Sequence, residues 1–123
     1  MNTIHDNKRS WIHLHDFMFQ ICDASGKSVV VEYVDDEMKV VYPDKNYQCA
    51  TNFLLTQPDA KFNFGQDRYQ IIDEKLSSTN GKLSKHEAMQ LLSDCSQEAH
   101  KNKQGKISKT QWSCVYDLKN KKV

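Results

Sequence analysis

The sequence lacks most of the features that assign a protein to a class at first reading. It has two prolines and four glycines in 123 residues. No apolar run approaches the ~18 residues of a membrane-spanning helix, so nothing is expected to cross a bilayer. Residues 1–9 contain no apolar core of a signal peptide, so no secretory leader is expected. Neither charge dominates: 17 Lys and Arg stand against 16 Asp and Glu, a formal net charge of +1. A polyanion binder carries a larger basic excess, which argues against nucleic acid as a partner. Cys22, Cys49, Cys95 and Cys114 form no CxxC pair, the closest two being 19 positions apart. They read as reduced thiols of a cytoplasmic protein rather than a zinc site or a disulfide framework. There is no Gly-rich phosphate loop and no GxSxG elbow.

What is present belongs to a folded chain. Aromatics at 10% and spaced apolar runs exclude disorder. A mass of 14.3 kDa suits one soluble domain, enough to bury roughly two thirds of its unfolded surface. Residues 1–10 are polar and read as a flexible leader to a domain over 11–123. Trp11 to Asp23 places apolar residues on both parities, the pattern of a strand covered on both faces. A turn at residues 23–27 leads to Ser28–Val34, rich in β-branched residues and read as the return strand. Asp35-Asp36-Glu37 is the next turn and Met38–Tyr42 a third strand. After the Pro43–Asn46 break, Tyr47–Leu55 reads as a fourth.

The period then changes. Tyr69, Ile72 and Leu76 fall on one helical stripe beginning near Gln66, with Gly81 as the stop. Ser84 and Glu87 make a capping box for a second helix carrying Ala88, Leu91, Leu92 and Cys95 on one face. Residues 97–109 are polar and read as a mobile loop, and Gln111–Leu118 as a fifth strand. Lys119–Lys122 resembles a hairpin turn with Val123 opening a returning strand. A strand without its neighbour exposes unpaired backbone, so the pattern suggests part of a larger α+β layer structure.

Several motifs have plain structural explanations. His13 and His15 share a strand face, but two imidazoles do not close a metal site. Asn80, Gly81, Ser84 and Glu87 imitate a calcium loop whose first position would be Leu76, which offers no carboxylate. A second imitation around Gly105 puts His100 first and Gln111 last, again without the acids that calcium needs. Two residues are harder to place. Asn52 lies in a predicted strand, where Asn is depleted, and a buried Asn is either a structural bracket or a donor facing a site. Arg68 opens a helix, against the helix dipole. It is either half of a surface ion pair or a guanidinium aimed into a cleft.

The blocks YQCATNFLLT (47–56), GQDRYQIIDEKL (65–76), NGKLSKHEAMQLLSDCSQ (80–97) and TQWSCVYDLKN (110–120) stand in order. Together they resemble the C-terminal part of linear amide C–N hydrolases, the group of choloylglycine (bile salt) hydrolase and penicillin V acylase. FQICDASGKSVVVEYVDDEMKVV (19–41) looks like the hairpin that precedes those blocks. The resemblance implies a partial N-terminal-nucleophile αββα sandwich with about five antiparallel strands and two helices. It implies hydrolysis of a non-peptide amide by an N-terminal cysteine whose own α-amine is the base, without metal or cofactor. Asn52 matches the family's oxyanion-binding asparagine, and Arg68 the arginine that lies near the nucleophile and favours its thiolate.

The nucleophile of that family has no counterpart here. Met1 is followed by Asn2, and a cut before Cys22 would expose a turn and discard a strand. The family's early Arg and Asp partners and a middle-region asparagine are also unmatched. The expectation is a fragment that is inactive alone. The alternative is a non-catalytic module, or a split subunit, that completes a sheet with a separate N-terminal half or with itself.

Overall fold

The structure is a computed structural model and describes residues 17–59 and 64–123. The leader, most of the first predicted strand's N-terminal half, and the His13/His15 pair lie outside the described residues. The described chain is mixed α+β. Strands β1 (Phe17–Cys22), β2 (Ser28–Val34) and β3 (Glu37–Val41) form an antiparallel sheet in the order β1-β2-β3. Helices α1 (Gln66–Ser78) and α2 (Lys85–Asp94) follow, then a two-residue hairpin of β4 (His100–Lys101) and β5 (Ile107–Ser108). No described helix is long and apolar enough to cross a membrane.

The sheet is built from its turns. At the first, Asp23 Oδ1 accepts from the Ser25 N–H at 2.9 Å, the Ser25 hydroxyl at 2.6 Å and the Lys27 N–H at 3.2 Å. Those donors, the Ser25 hydroxyl first, hold the Asp23 carboxyl below its usual range. At the second, Asp35 and Asp36 both take positive φ, 52° and 62°. This is the two-residue hairpin whose twist matches that of the flanking strands, and Asp tolerates the left-handed region better than most residues. The predicted turn at 35–37 is therefore one residue shorter, with Glu37 pairing with Val34.

Two predicted strands are absent. Residues 47–55 form turns and irregular backbone, not a fourth strand, and 111–118 form only a single bridge, Asp117 with Lys122. Both stretches have strand composition, but neither ladders with a strand of the sheet, whose order stays β1-β2-β3. The predicted mobile loop at 97–109 instead contains the β4–β5 hairpin. The return turn at 119–122 is present: Asp117 and Lys122 exchange both backbone hydrogen bonds, and Lys121 supplies the positive φ of 52°.

Both helices stand where the 3.6-residue period placed them. α1 ends on a Schellman pattern, with the Gly81 N–H on the Leu76 carbonyl at 2.8 Å and the Asn80 N–H on the Ser77 carbonyl at 3.3 Å. Asn80 and Gly81 are thus a helix stop rather than a calcium loop. α2 opens on the expected box: the Glu87 N–H donates to Ser84 Oγ at 3.1 Å and the Ser84 N–H to Glu87 Oε2 at 2.8 Å. A cap of this kind is worth about 1 kcal/mol.

The core is small. Val30 and Val34 of β2, Cys49, Phe53 and Leu54 of the irregular segment, and Leu91 of α2 are the buried apolar side chains among the described residues. Gln48 fastens the irregular segment under the sheet. Its carbonyl accepts from Gln20 of β1, its Oε1 from the Ser28 hydroxyl of β2, and its Nε2 donates to the Val41 carbonyl of β3. Among the described residues nothing packs on the opposite face of the sheet. β1 is exposed at five of its six residues, so it is not covered on both sides as its sequence suggested. The two-parity apolar pattern has a different cause: one parity faces the core side and the other forms an uncovered apolar face.

Candidate functional site

The site is assembled where the irregular segment passes the start of α1. Phe53 is buried and meets Tyr69 edge-on, ring centroids 5.1 Å apart. Each ring adjoins one of the two residues singled out by sequence, so this contact brings Asn52 alongside Arg68. Two further bonds fix the backbone. The Thr51 hydroxyl donates to the Gly65 carbonyl at 2.9 Å, and the Phe64 N–H donates to the Asn52 carbonyl at 3.4 Å. Gly65, the N-cap of α1, has φ +92° and makes no side-chain cap.

Arg68 Nη2 donates to Asn52 Oδ1 at 2.6 Å. The direction of this bond decides the chemistry. Arginine has donors only, so the amide oxygen must face it and the Asn52 NH₂ must face away. Asn52 is exposed, so that NH₂ is presented to solvent as a pair of donors. The guanidinium also lies 6.0 Å from the Phe64 ring, a loose cation–π contact. Arg68 is unfavourable toward the helix dipole, and the charge-assisted bond to Asn52 offsets this. The site thus offers amide and guanidinium donors over one junction, a geometry suited to a carbonyl oxygen that gains negative charge.

Arg68 opens on a shallow cleft of about 580 Å³, whose walls include Phe64, Ile71 and the carboxylates of Asp67, Asp94 and Glu98; Asn52 stands outside this lining, on the other side of the guanidinium bond. A larger cleft of about 670 Å³ lies between residues 22–26, the start of α2 and residues 115–119. Arg68 does not line it, and Lys85 there pairs with Asp117 at 3.7 Å, with Asn120 also bound to Asp117. Chemistry, not size, places the site at the Asn52–Arg68 bond, beside the smaller cleft. Among the described residues, no three of His, Cys, Asp and Glu converge as a metal ion would need.

Neither Cys95 nor Cys49 is poised at this site as a nucleophile. Cys95 Sγ lies 3.9 Å from the Arg68 carbonyl, and burial pushes its thiol up. Burial and the negative charge of Asp73 push the Cys49 thiol up to about 11. At pH ~8 only about one part in 10³ of such a thiol is the reactive thiolate. Cys22 is exposed. Iodoacetamide treatment of the native chain followed by mass spectrometry should therefore label Cys22 first and leave Cys49 unmodified until the chain is denatured. Rapid native labelling of Cys49 contradicts its placement.

One residue of consequence escaped the reading of the sequence. Glu32 of β2 is fully buried, and its carboxylate accepts from the Leu55 N–H, from the Thr56 N–H at 3.1 Å and from the Thr56 hydroxyl at 2.5 Å. It anchors the stretch immediately after Asn52. A signal existed: Glu32 shares its strand parity with Val30 and Val34, so a charged residue stood among core positions. Comparison of the chain with protein-family models, with curated proteins and with solved structures gives no match.

Proposed function

We propose that this chain carries the carbonyl-gripping part of an amidase of the choloylglycine-hydrolase type, with the attacking thiol supplied from outside it. The observation that supports the reading is the Arg68–Asn52 bond at 2.6 Å, which turns the Asn52 NH₂ outward as a donor. In the proposed reaction a thiolate adds to the carbonyl carbon of a linear amide. The oxygen becomes an oxyanion held by Asn52 Nδ2, with Arg68 contributing positive potential. The amine leaves with a proton, and water then cleaves the thioester to release a carboxylate. The parent fold would be a sandwich of which β1–β3, α1 and α2 form part. The four free thiols fit a reducing, cytoplasmic setting.

The purified chain alone should release no amine from glycocholate, penicillin V or simple N-acyl amides. It should nevertheless bind the product end of such substrates. Titration with phenoxyacetate should shift the Asn52 side-chain amide signals in a ¹⁵N–¹H spectrum, and Arg68→Leu should abolish the shift. Unmoved Asn52 signals at saturating carboxylate would overturn the oxyanion role. Amine release that survives replacement of all four cysteines by serine would overturn the thiol chemistry.

A further inference from the structure

The sheet has one face that none of the described residues covers. Register places Phe17 opposite Tyr33 and Phe19 opposite Val31 on β1 and β2, with Val31 opposite Val40 and Tyr33 opposite Met38 on β2 and β3. Directly paired residues point to the same side, so all of these belong to one face, and none is charged or carries an amide. The rings form a continuous surface: Phe17 stacks on Tyr33 at 5.9 Å and meets Phe19 edge-on at 5.1 Å. The outer strands carry the exposure on this face, from 40% at Val40 to 66% at Met38, while Val31 and Tyr33 of the central strand are half-buried. The other face carries Glu32, Lys39 and Gln20 and is engaged with the segment around Gln48. The apolar positions of the two outer strands therefore have no partner within the described chain.

We propose that this face packs against the same face of a second copy of the chain, forming a two-sheet sandwich about a twofold axis. The inference is independent of the role given to Asn52 and Arg68. Three properties point to a second copy. A face whose paired residues carry no charge selects for apolarity, and an identical face satisfies that condition by definition. Phe17, Phe19, Ile21, Met38 and Val40, 40–66% exposed, together with the half-buried Val31 and Tyr33, offer roughly 500–600 Å² per copy, and so ~1,000–1,200 Å² in a pair, the lower edge of a specific interface. Finally, three-stranded sheets stacked about 10 Å apart interdigitate such side chains into the second core layer that a single small core lacks.

Sedimentation velocity on the full chain tests this across a roughly hundredfold dilution series. A monomer–dimer equilibrium is expected. Phe19→Glu combined with Met38→Glu should weaken it at least about tenfold, because like charges would face each other across the axis. The circular dichroism melt should persist, since both positions are exposed. Val31→Cys in a Cys22→Ser background is the gentler variant and keeps the test valid if the double variant unfolds. Val31 lies mid-face and should cross-link copy to copy under copper phenanthroline, whereas Lys39→Cys on the opposite face should not. A wild-type chain that remains monomeric, whether covered from within by residues 1–16 or bare, overturns the proposal. So does a dimer insensitive to the double variant, an open-ended series of oligomers, or a monomer that co-sediments with phosphatidylcholine–phosphatidylglycerol vesicles.

Discussion

Replacing Glu32 by Ala should remove most of the chain's stability. The carboxylate is the acceptor for the Leu55 and Thr56 N–H groups and for the Thr56 hydroxyl, and it is wholly buried. A donor left buried without a partner costs about 1–3 kcal/mol; Leu55 is half-buried, the exposed Thr56 can turn to water, and the vacated buried position adds its own cost, so the expected loss is ~2–4 kcal/mol. A domain with so few buried apolar residues lies near the low end of the usual ~5–15 kcal/mol, and a loss of that size leaves little. Urea denaturation followed by circular dichroism measures it. Glu32→Gln keeps one acceptor and turns an NH₂ toward Thr56, so its midpoint should fall between wild type and Glu32→Ala. Hydrogen exchange gives the local readout: the Leu55 and Thr56 amides should lose protection first. An Ala variant as stable as wild type would show that Glu32 does not hold this segment.

Gly65→Ala should separate Asn52 from Arg68 while leaving much of the fold in place. The residue has φ +92°, a region that costs a β-carbon about 1–2 kcal/mol. The added carbon would stand 2.7 Å from Arg68 Nη2, 3.1 Å from Thr51 Oγ1 and 3.2 Å from the Asn52 backbone N. The first clash is with the end of a flexible side chain, which will swing away, and that motion breaks the bond to Asn52. The third is with backbone and cannot be relieved so cheaply. The expected outcome is a stability loss of ~1–3 kcal/mol. The Asn52 side-chain amide signals should also move to free-amide positions, and the phenoxyacetate response should disappear. A Gly65→Ala chain that keeps that response would show that the Asn52–Arg68 contact does not set the donor.

The legible parts of the fold were those whose hydrogen bonds close within a few residues. The Ser84–Glu87 box, the Asp23 turn, the Asp35–Asp36 hairpin and the stop at Asn80-Gly81 are each complete in a short segment. The residue types alone therefore specify them. Residues 47–55 and 111–118 misled for the converse reason. Their composition suits a strand, but a strand is completed by a neighbour from elsewhere, and neither segment finds one. The missing partners of residues 47–55 are replaced by side chains, Glu32 above all.

The site was half legible. Asn in a strand-like stretch and Arg at a helix start are each poor local choices, and such conflicts mark positions fixed by something other than propensity. That Asn52 and Arg68 touch across 16 positions of sequence followed from the Phe53–Tyr69 contact and from Gly65, which no periodicity reveals. The composition of its strand hides Glu32; only the face it shares with Val30 and Val34 reveals it.

The sequence by itself determined two helices, their ends, the tight turns and the α+β class, because the donors and acceptors of those features lie within one turn of each other. Tertiary structure alone decided which strand-like segments became strands, that a buried carboxylate holds the loop after Asn52, and that one sheet face lies open. Each of these depends on groups distant in sequence meeting at hydrogen-bond or contact distance, and that meeting is a property of packing.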